Sequence, residues 1–66
     1  MSSFTGVIEN VLMTVKRVEF KLKDRNGKIT ELYCSSDSFD SFRKISANKI
    51  RVTCLTKRSE VLKVLI

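Results

Sequence analysis

A strand-turn-strand pattern between Val18 and Cys34 constrains this 66-residue chain more than any other feature. In its first arm, apolar and charged side chains alternate with a period of two, which is typical of a half-buried strand. The apolar set is Val18, Phe20 and Leu22, and the charged set is Arg17, Glu19, Lys21 and Lys23. The segment after the turn, up to Cys34, has the length and composition of a second strand. The pattern therefore predicts a β-hairpin.

The turn between the two arms, Asp24-Arg25-Asn26-Gly27, sets the register of the hairpin. Asp in the first position and Gly in the fourth favour a type I turn followed by a left-handed glycine, which makes a three-residue bulged loop. The predicted cross-strand pairs are Asp24 with Lys28, Leu22 with Thr30, Lys21 with Glu31, Phe20 with Leu32 and Val18 with Cys34. A two-residue turn at Asn26-Gly27 would instead bury an unpartnered Glu31, which is costly.

The segment from Phe4 to Val15 is rich in β-branched residues and carries apolar side chains on both alternating faces. A strand buried on both faces would have this pattern, and so would a long strand that bends near Gly6 and serves two sheets in turn. A helix is the alternative because three valines lie four residues apart, but β-branched residues disfavour it. We therefore predict a long first strand.

After Cys34 the period changes from two to three or four. Ser35 to Ser38 offer N-cap positions, and Phe39, Phe42 and Ile45 form one apolar stripe, which predicts one short helix of about two turns. From Lys49 the period of two returns in Ile50, Val52 and Cys54, predicting a fourth strand. A polar turn at 56–59 and a fifth strand at 61–66 follow. Phe20, Val52 and Leu62 are expected in the core, with Phe42 closing one end.

Charge points to a polyanionic partner. The chain has 13 Lys and Arg against 7 Asp and Glu, a formal net charge of +6, which favours nucleic acid as the partner. An excess of lysine that serves only solubility is the alternative. The length of 66 residues is that of a single domain, residues 1–66.

Catalytic and metal-binding patterns are missing from the sequence. There is no histidine, and Cys34 and Cys54 are too widely separated for a zinc site. Both are expected to be buried, reduced thiols, since free cysteine behaves as a small hydrophobe. We expect no enzyme activity, cofactor or metal. No apolar run is long enough to span a bilayer and no leader pattern begins the chain, so a cytoplasmic protein without membrane contact is expected.

Three local patterns follow one another along this arrangement. They are Gly6-Val7-Ile8 in the first strand, Phe20-x-Leu22-x-Asp24 with Gly27 in the hairpin, and Phe39-x-x-Phe42 leading to Ile50-x-Val52-x-Cys54. Together they resemble the oligonucleotide/oligosaccharide-binding (OB) fold. The resemblance implies a mainly β protein, a small five-stranded OB-like β-barrel with one short helix between strands 3 and 4. SH3-like and Sm-like barrels are the nearest rivals, and an Sm-like chain would place its helix before the first strand.

The resemblance has one departure. Many such domains have a glycine at the helix-to-strand junction, where Asn48 stands in this chain. Asparagine also tolerates the left-handed conformation, so we expect Asn48 to replace the glycine.

The resemblance also implies a groove across strands 2 and 3, flanked by the loops after strands 1 and 4, that binds single-stranded nucleic acid. The residues of this chain at those positions are Lys16, Arg17, Lys21, Lys23, Tyr33, Lys57 and Arg58, with Glu19 and Glu31 among them. Tyr33 is the candidate ring for base stacking, although a lone tyrosine also serves as a packing residue at a sheet edge. Lysines on a strand face also protect against aggregation.

These observations predict a non-catalytic module that binds single-stranded DNA or RNA. The alternative is a protein-interaction or assembly module that uses the barrel surface or an exposed strand edge, including self-association through that edge.

Overall fold

In a computed structural model that describes every residue from Met1 to Ile66, the chain forms five strands and two short helices. The elements are β1 (Ser2–Met13), β2 (Val18–Lys23), β3 (Ile29–Cys34), α1 (Ser36–Asp40), α2 (Arg43–Ala47), β4 (Val52–Lys57) and β5 (Glu60–Leu65). The strands close into one barrel in the order β1-β2-β3-β5-β4. A mainly β, five-stranded barrel is confirmed, and it is consistent with an OB-like fold. Neither helix is long and apolar enough to cross a membrane.

The long first strand belongs to both halves of the barrel. Its residues Ser2–Gly6 pair with β4, and its residues Val7–Met13 pair with β2. The change of partner occurs at Gly6, where a Cβ atom would overlap the carbonyl oxygen of Lys23 and lie 2.8 Å from its carbonyl carbon. Only glycine allows this close approach of two backbones. Of the two arrangements that the sequence allows, the structure shows the long strand that serves two partners in turn, with the change of partner at Gly6.

The last residues of β1 are apolar but not buried. Val11, Leu12 and Met13 are exposed, and Val15, which we expected in the strand, lies in the following turn and is fully exposed. The pairing of β1 with β2 shifts between Glu9 and Leu12, so β1 has a bulge there. Burial of this segment on both faces is thus ruled out.

The hairpin of β2 and β3 has the register that the turn chemistry predicts. All five predicted pairs are present, and Gly27 has a φ of 83° in the left-handed region. The carboxylate of Asp24 accepts hydrogen bonds from the backbone N–H of Asn26 at 2.8 Å and of Lys28 at 2.9 Å. These two bonds hold the bulged loop closed, so the register depends on Asp24 as well as on Gly27.

The predicted single helix is wrong, because the segment forms two five-residue helices with a break between them. At the break the Ser41 hydroxyl donates to the carbonyl of Ser38 at 2.6 Å, and the N–H of Phe42 donates to Phe39 at 3.0 Å. A serine hydroxyl that takes a backbone carbonyl competes with the helical hydrogen bond. Because of this tighter turn, Phe42 lies between the two helices and belongs to neither. Ser35 is the N-cap, as one of the predicted candidates.

The fourth strand begins later than the sequence predicts. Ile50 precedes β4 and is 41% exposed, although its spacing to Val52 suggested burial. The left-handed residue at the junction is Lys49, with a φ of 55°, and not Asn48, whose φ is −89°. This left-handed residue turns the chain, so the period of two starts only at Val52.

In β5 the buried residue is Val61, and the prediction that Leu62 is buried is wrong. Val61 is 4% exposed and Leu62 is 50% exposed. The reason is a shift in the pairing of β4 with β5, where Leu55 pairs with Lys63 but the next residue, Thr56, pairs with Val61. The extra residue, Leu62, therefore faces outward.

The core is one cluster of eleven buried apolar side chains. They are Ile8, Val18, Phe20, Leu22, Leu32, Cys34, Phe39, Phe42, Val52, Cys54 and Val61. Phe42 lies edge-to-face against Phe39, with ring centroids 5.2 Å apart, and against Phe20 at 6.2 Å. Such aromatic pairs stabilise a core beyond the area they bury. The predicted packing of Phe42 onto the barrel core is confirmed, at the break between the helices.

Replacing Gly6 with alanine should destabilise the barrel by more than about 3 kcal/mol, because the added methyl group meets backbone atoms that cannot move aside. Gly27→Ala is the control: its Cβ has no neighbour within 4 Å, and only the left-handed conformation costs, about 1 to 2 kcal/mol. Urea unfolding measures both free energies. Equal losses would show that the close approach at Gly6 is not required.

Truncating Phe42 to alanine should lower the free energy of unfolding by about 3 to 5 kcal/mol, since a buried ring is lost from a small core. Leu62→Ala removes an exposed side chain of similar size and should cost less than about 1 kcal/mol. Thermal melts followed by circular dichroism separate the two. If the Phe42→Ala and Leu62→Ala proteins melted at the same temperature, the role of Phe42 in the core would be contradicted.

Candidate functional site

A groove of about 390 Å³ crosses the outer face of β2 and β3. Its lining residues are Asn10, Leu12, Arg17, Glu19, Phe20, Lys21, Glu31, Leu32, Tyr33 and Ser59. Two cross-strand rows form its polar wall, one pairing Glu19 with Tyr33 and the other pairing Lys21 with Glu31. The polar wall of the groove therefore follows from the hairpin register.

Tyr33 and Arg17 are in direct contact in this groove. The guanidinium carbon of Arg17 lies 4.1 Å from the centroid of the Tyr33 ring, and its Nε donates to Glu19 Oε2 at 2.9 Å. A cation over an aromatic face is attracted by the ring's quadrupole. The carboxylate of Glu19 holds the guanidinium in place, so one face of the half-buried ring is covered by Arg17.

The turns at this end of the barrel are tied to the same groove. The N–H of Tyr33 donates to the carbonyl of Ser59 at 2.9 Å, which holds the β4–β5 turn against β3. In the β1–β2 turn, the hydroxyl and the N–H of Thr14 both donate to the carbonyl of Arg17 at 2.8 Å. Each turn thus ends beside the Arg17–Tyr33 pair.

The structure brings together some of the predicted site residues and separates others. Arg17, Lys21 and Tyr33 line the groove. The turn residues Lys16, Lys57 and Arg58 are exposed at the same end of the barrel but are not part of its lining. Lys23, the last residue of β2, pairs with Val7 and Ile29 and is not part of the lining.

Electrostatically the groove is balanced. Arg17 and Lys21 face Glu19 and Glu31, so its lining carries as many carboxylates as cations. Lys21 and Glu31 are in register but are not within ion-pair distance; the two ion pairs of the protein are Arg17–Glu19 and Arg43–Asp40. The net charge of +6 therefore resides on other surfaces.

Sequence reasoning missed five residues of the groove. Phe20 and Leu32 were assigned to the inner side of the hairpin, and Asn10, Leu12 and Ser59 were not assigned to any site. Asn10 and Leu12 reach it because β1 is bulged, and Asn10 has a left-handed φ of 54°. Asparagine within an otherwise β-branched strand was the available signal, since asparagine tolerates that conformation better than most residues. Ser59 reaches the groove through its backbone bond to Tyr33, for which the sequence has no signal.

The two cysteines belong to the core and not to the groove. Cys34 and Cys54 are free thiols with no exposed surface. Burial raises the pKa of each from the ordinary value of 9.0 to about 11, and the neighbouring Cys34 adds to the rise for Cys54. Thiols held protonated in this way are poor nucleophiles and poor metal ligands. No group of three or more His, Cys, Asp or Glu side chains is placed to hold a metal ion.

Comparison of the chain with protein-family models, with curated proteins and with solved structures finds no match.

The buried thiols give a prediction for alkaline pH. Because the unfolded thiols ionise near pH 9 and the folded ones near pH 11, stability should be unaffected by them below pH 9 and should fall as pH rises toward 11. Urea unfolding at intervals of pH measures the fall. A Cys34→Ala/Cys54→Ala variant should show a shallower decline, and an equally steep one would contradict the assignment to the cysteines.

Proposed function

We propose that this protein is a non-catalytic module that binds single-stranded DNA or RNA on an OB-like barrel. The observation that carries the proposal is the groove on β2 and β3, in which the guanidinium carbon of Arg17 lies over the Tyr33 ring, 4.1 Å from its centroid. Stacked planar groups beside cationic turns are what proteins use to hold unpaired bases and their phosphates.

Both planar groups, the Arg17 guanidinium and the Tyr33 ring, offer a surface to a nucleobase. A base stacks on the Arg17 guanidinium while the Arg17–Tyr33 contact is kept, or it displaces Arg17 and stacks directly on the Tyr33 ring. In the second case Arg17 is released toward a phosphate, although its bond to Glu19 must then break. Because every base has such a face, this mode predicts little sequence preference.

The flanking turns supply the phosphate contacts in this proposal. Lys16 follows β1, and Lys57 and Arg58 lie at the end of β4, all three exposed and without ion-pair partners. Since the groove lining is balanced in charge, these turn residues provide the attraction that Glu19 and Glu31 cancel inside it. No enzyme activity, cofactor or metal is part of the proposal. A cytoplasmic location belongs to it, supported by two free cysteines.

An assembly role is the second candidate, favoured by two observations. Leu12 and Met13 are more than half exposed, at 58% and 54%, near the tip of the β1–β2 hairpin. In addition, β3 and β5 share a single bridge, Tyr33 with Glu60, so most of that edge of β5 is unpaired. Salt-insensitive association measured by light scattering, with no binding to oligonucleotides, would favour this candidate over the first.

Tyr33→Ala and the double variant Lys57→Ala/Arg58→Ala should weaken binding in different ways. Loss of the ring should cost about 1 to 3 kcal/mol for a single strand and leave the salt slope unchanged, since no phosphate contact is lost. Loss of the two cations should reduce the slope by about 0.7 per contact. Fluorescence polarisation with a labelled 20-nucleotide single strand across a salt series measures both quantities.

Matched controls make this comparison specific. Tyr33→Phe keeps the ring and should bind as the parent does, while Arg43→Ala/Lys44→Ala removes the same charge from the helices and should change the slope less. If the Tyr33→Ala and Lys57→Ala/Arg58→Ala proteins show the same loss of affinity and the same change in salt slope, charge alone attracts the ligand. If both are folded and bind normally, the groove is not a nucleic-acid site.

A further inference from the structure

A second cluster of cations occupies the end of the barrel opposite the groove's turns. We call it the basic pole and define it by Lys23, Arg25, Lys28, Lys49 and Arg51. Four of them are exposed, Arg51 is half-buried, and none has a carboxylate within ion-pair distance. They come from two segments far apart in the chain, so their proximity is a property of the fold.

The strand register brings Lys23 and Arg51 to the same part of β1. Lys23 pairs with Val7 on one side of β1, and on the other side Gly6 pairs with Val52, the residue after Arg51. Neighbouring strands lie about 4.8 Å apart, so the two backbones are separated by about 10 Å across β1. The close approach of Gly6 to the Lys23 carbonyl fixes this spacing.

Lys49 converges on the same segment. Its Nζ donates to the carbonyl of Ile8 at 3.4 Å, and its backbone holds a left-handed φ of 55°. Two backbone bonds maintain this turn, from Lys49 N–H to Ser46 at 3.2 Å and from Ile50 N–H to Ile45 at 3.2 Å. A non-glycine residue in this conformation costs free energy, and here it directs a cation along β1.

The β2–β3 turn completes the pole. Arg25 and Lys28 lie in the loop that follows Lys23, and the loop is held closed by the Asp24 carboxylate. That carboxylate is the one acidic group within the loop, and its Oδ1 already accepts two backbone hydrogen bonds. Glu9, the nearest acid on β1, is in register with Lys21. The pole therefore has five cations and few acidic side chains near them.

We propose that the basic pole is a second binding surface, one that takes the phosphate backbone of nucleic acid, double-stranded as well as single-stranded. Lys and Arg make phosphate contacts, whereas protein interfaces are depleted of lysine, and three of the five pole residues are lysines. The pole contains no aromatic ring, so it has nothing on which to stack a base. The pole recognises the phosphate charge that single and double strands share, and its binding does not depend on unpaired bases.

This inference goes beyond the groove and stands apart from it. Ring stacking at Tyr33 requires a single strand, whereas phosphate contacts at the pole do not. The Arg17–Tyr33 pair lies at the start of β2 and Lys23 lies at its end. The strand spans Val18–Lys23, a length of about 17 Å at 3.4 Å per residue step. Loss of one therefore leaves the other in place, and their effects on single and double strands differ.

The test compares two triple variants with the same change in charge. Lys23→Gln/Lys49→Gln/Arg51→Gln alters the pole, and Lys44→Gln/Lys63→Gln/Arg43→Gln removes two lysines and one arginine elsewhere. Affinities for a 20-nucleotide single strand and a 20-base-pair duplex are measured from 0.05 to 0.5 M salt. The pole variant should lower the salt slope by about 2 on the single strand and by nearly 3 on the duplex. At 0.1 M salt, single-strand binding should weaken roughly 100-fold.

Equal effects of the two triple variants on affinity and salt slope would overturn the proposal. A pole variant that binds both ligands as the parent does would also overturn it, and this is the result expected if the pole binds an acidic protein. Arg25→Gln/Lys28→Gln guards against a folding defect, because these side chains form no hydrogen bonds; it should lower the single-strand slope by about 1.4. A Tyr33→Ala protein with full affinity would remove the groove proposal, while the duplex result would still decide the pole.

Discussion

The close contact of β1 and β2 at Gly6 is the constraint on which this barrel depends. At that point β1 exchanges its partner, from β4 to β2, and the backbone of Gly6 lies directly against the carbonyl of Lys23. Since no side chain fits between them, the two halves of the barrel are held at backbone distance. This contact sets where the core side chains meet, and it also sets the spacing of the cations around the same segment of β1.

The structure separates planar groups from excess charge. The groove on β2 and β3 holds the Arg17–Tyr33 pair, but the charges of Arg17 and Lys21 in its lining are balanced by Glu19 and Glu31. The unpaired cations lie in the turns and in the basic pole. A ligand with planar groups and phosphates would thus meet different parts of the barrel for each. In the sequence alone Arg17, Lys21 and Lys23 belong to one alternating basic face, because alternation shows the face of a strand but not its position along the barrel.

Irregular backbone accounts for most of the differences between prediction and structure. A bulge exposes apolar residues of β1 and brings Asn10 to the groove. In β5 a register shift turns Leu62 outward, and Val61 is the buried residue. One extra residue reverses the faces of the residues that follow, so a period of two fails at that point. The break at Ser41 has a similar origin, since a hydroxyl competes for a backbone carbonyl that the helix would use.

The sequence by itself determined the elements whose stabilising groups are close in the chain. The β2–β3 register follows from Asp24 and Gly27, the helix start from the N-cap candidates at 35–38, and the packing of Phe42 in the core from its spacing to Phe39. Only the tertiary structure decided that Arg17 covers Tyr33, that Lys23 leaves the groove, and that Lys23, Lys49 and Arg51 converge on β1. Those relations depend on which strands become neighbours when the barrel closes, and burial of the shared core governs that choice rather than any local preference of the residues themselves.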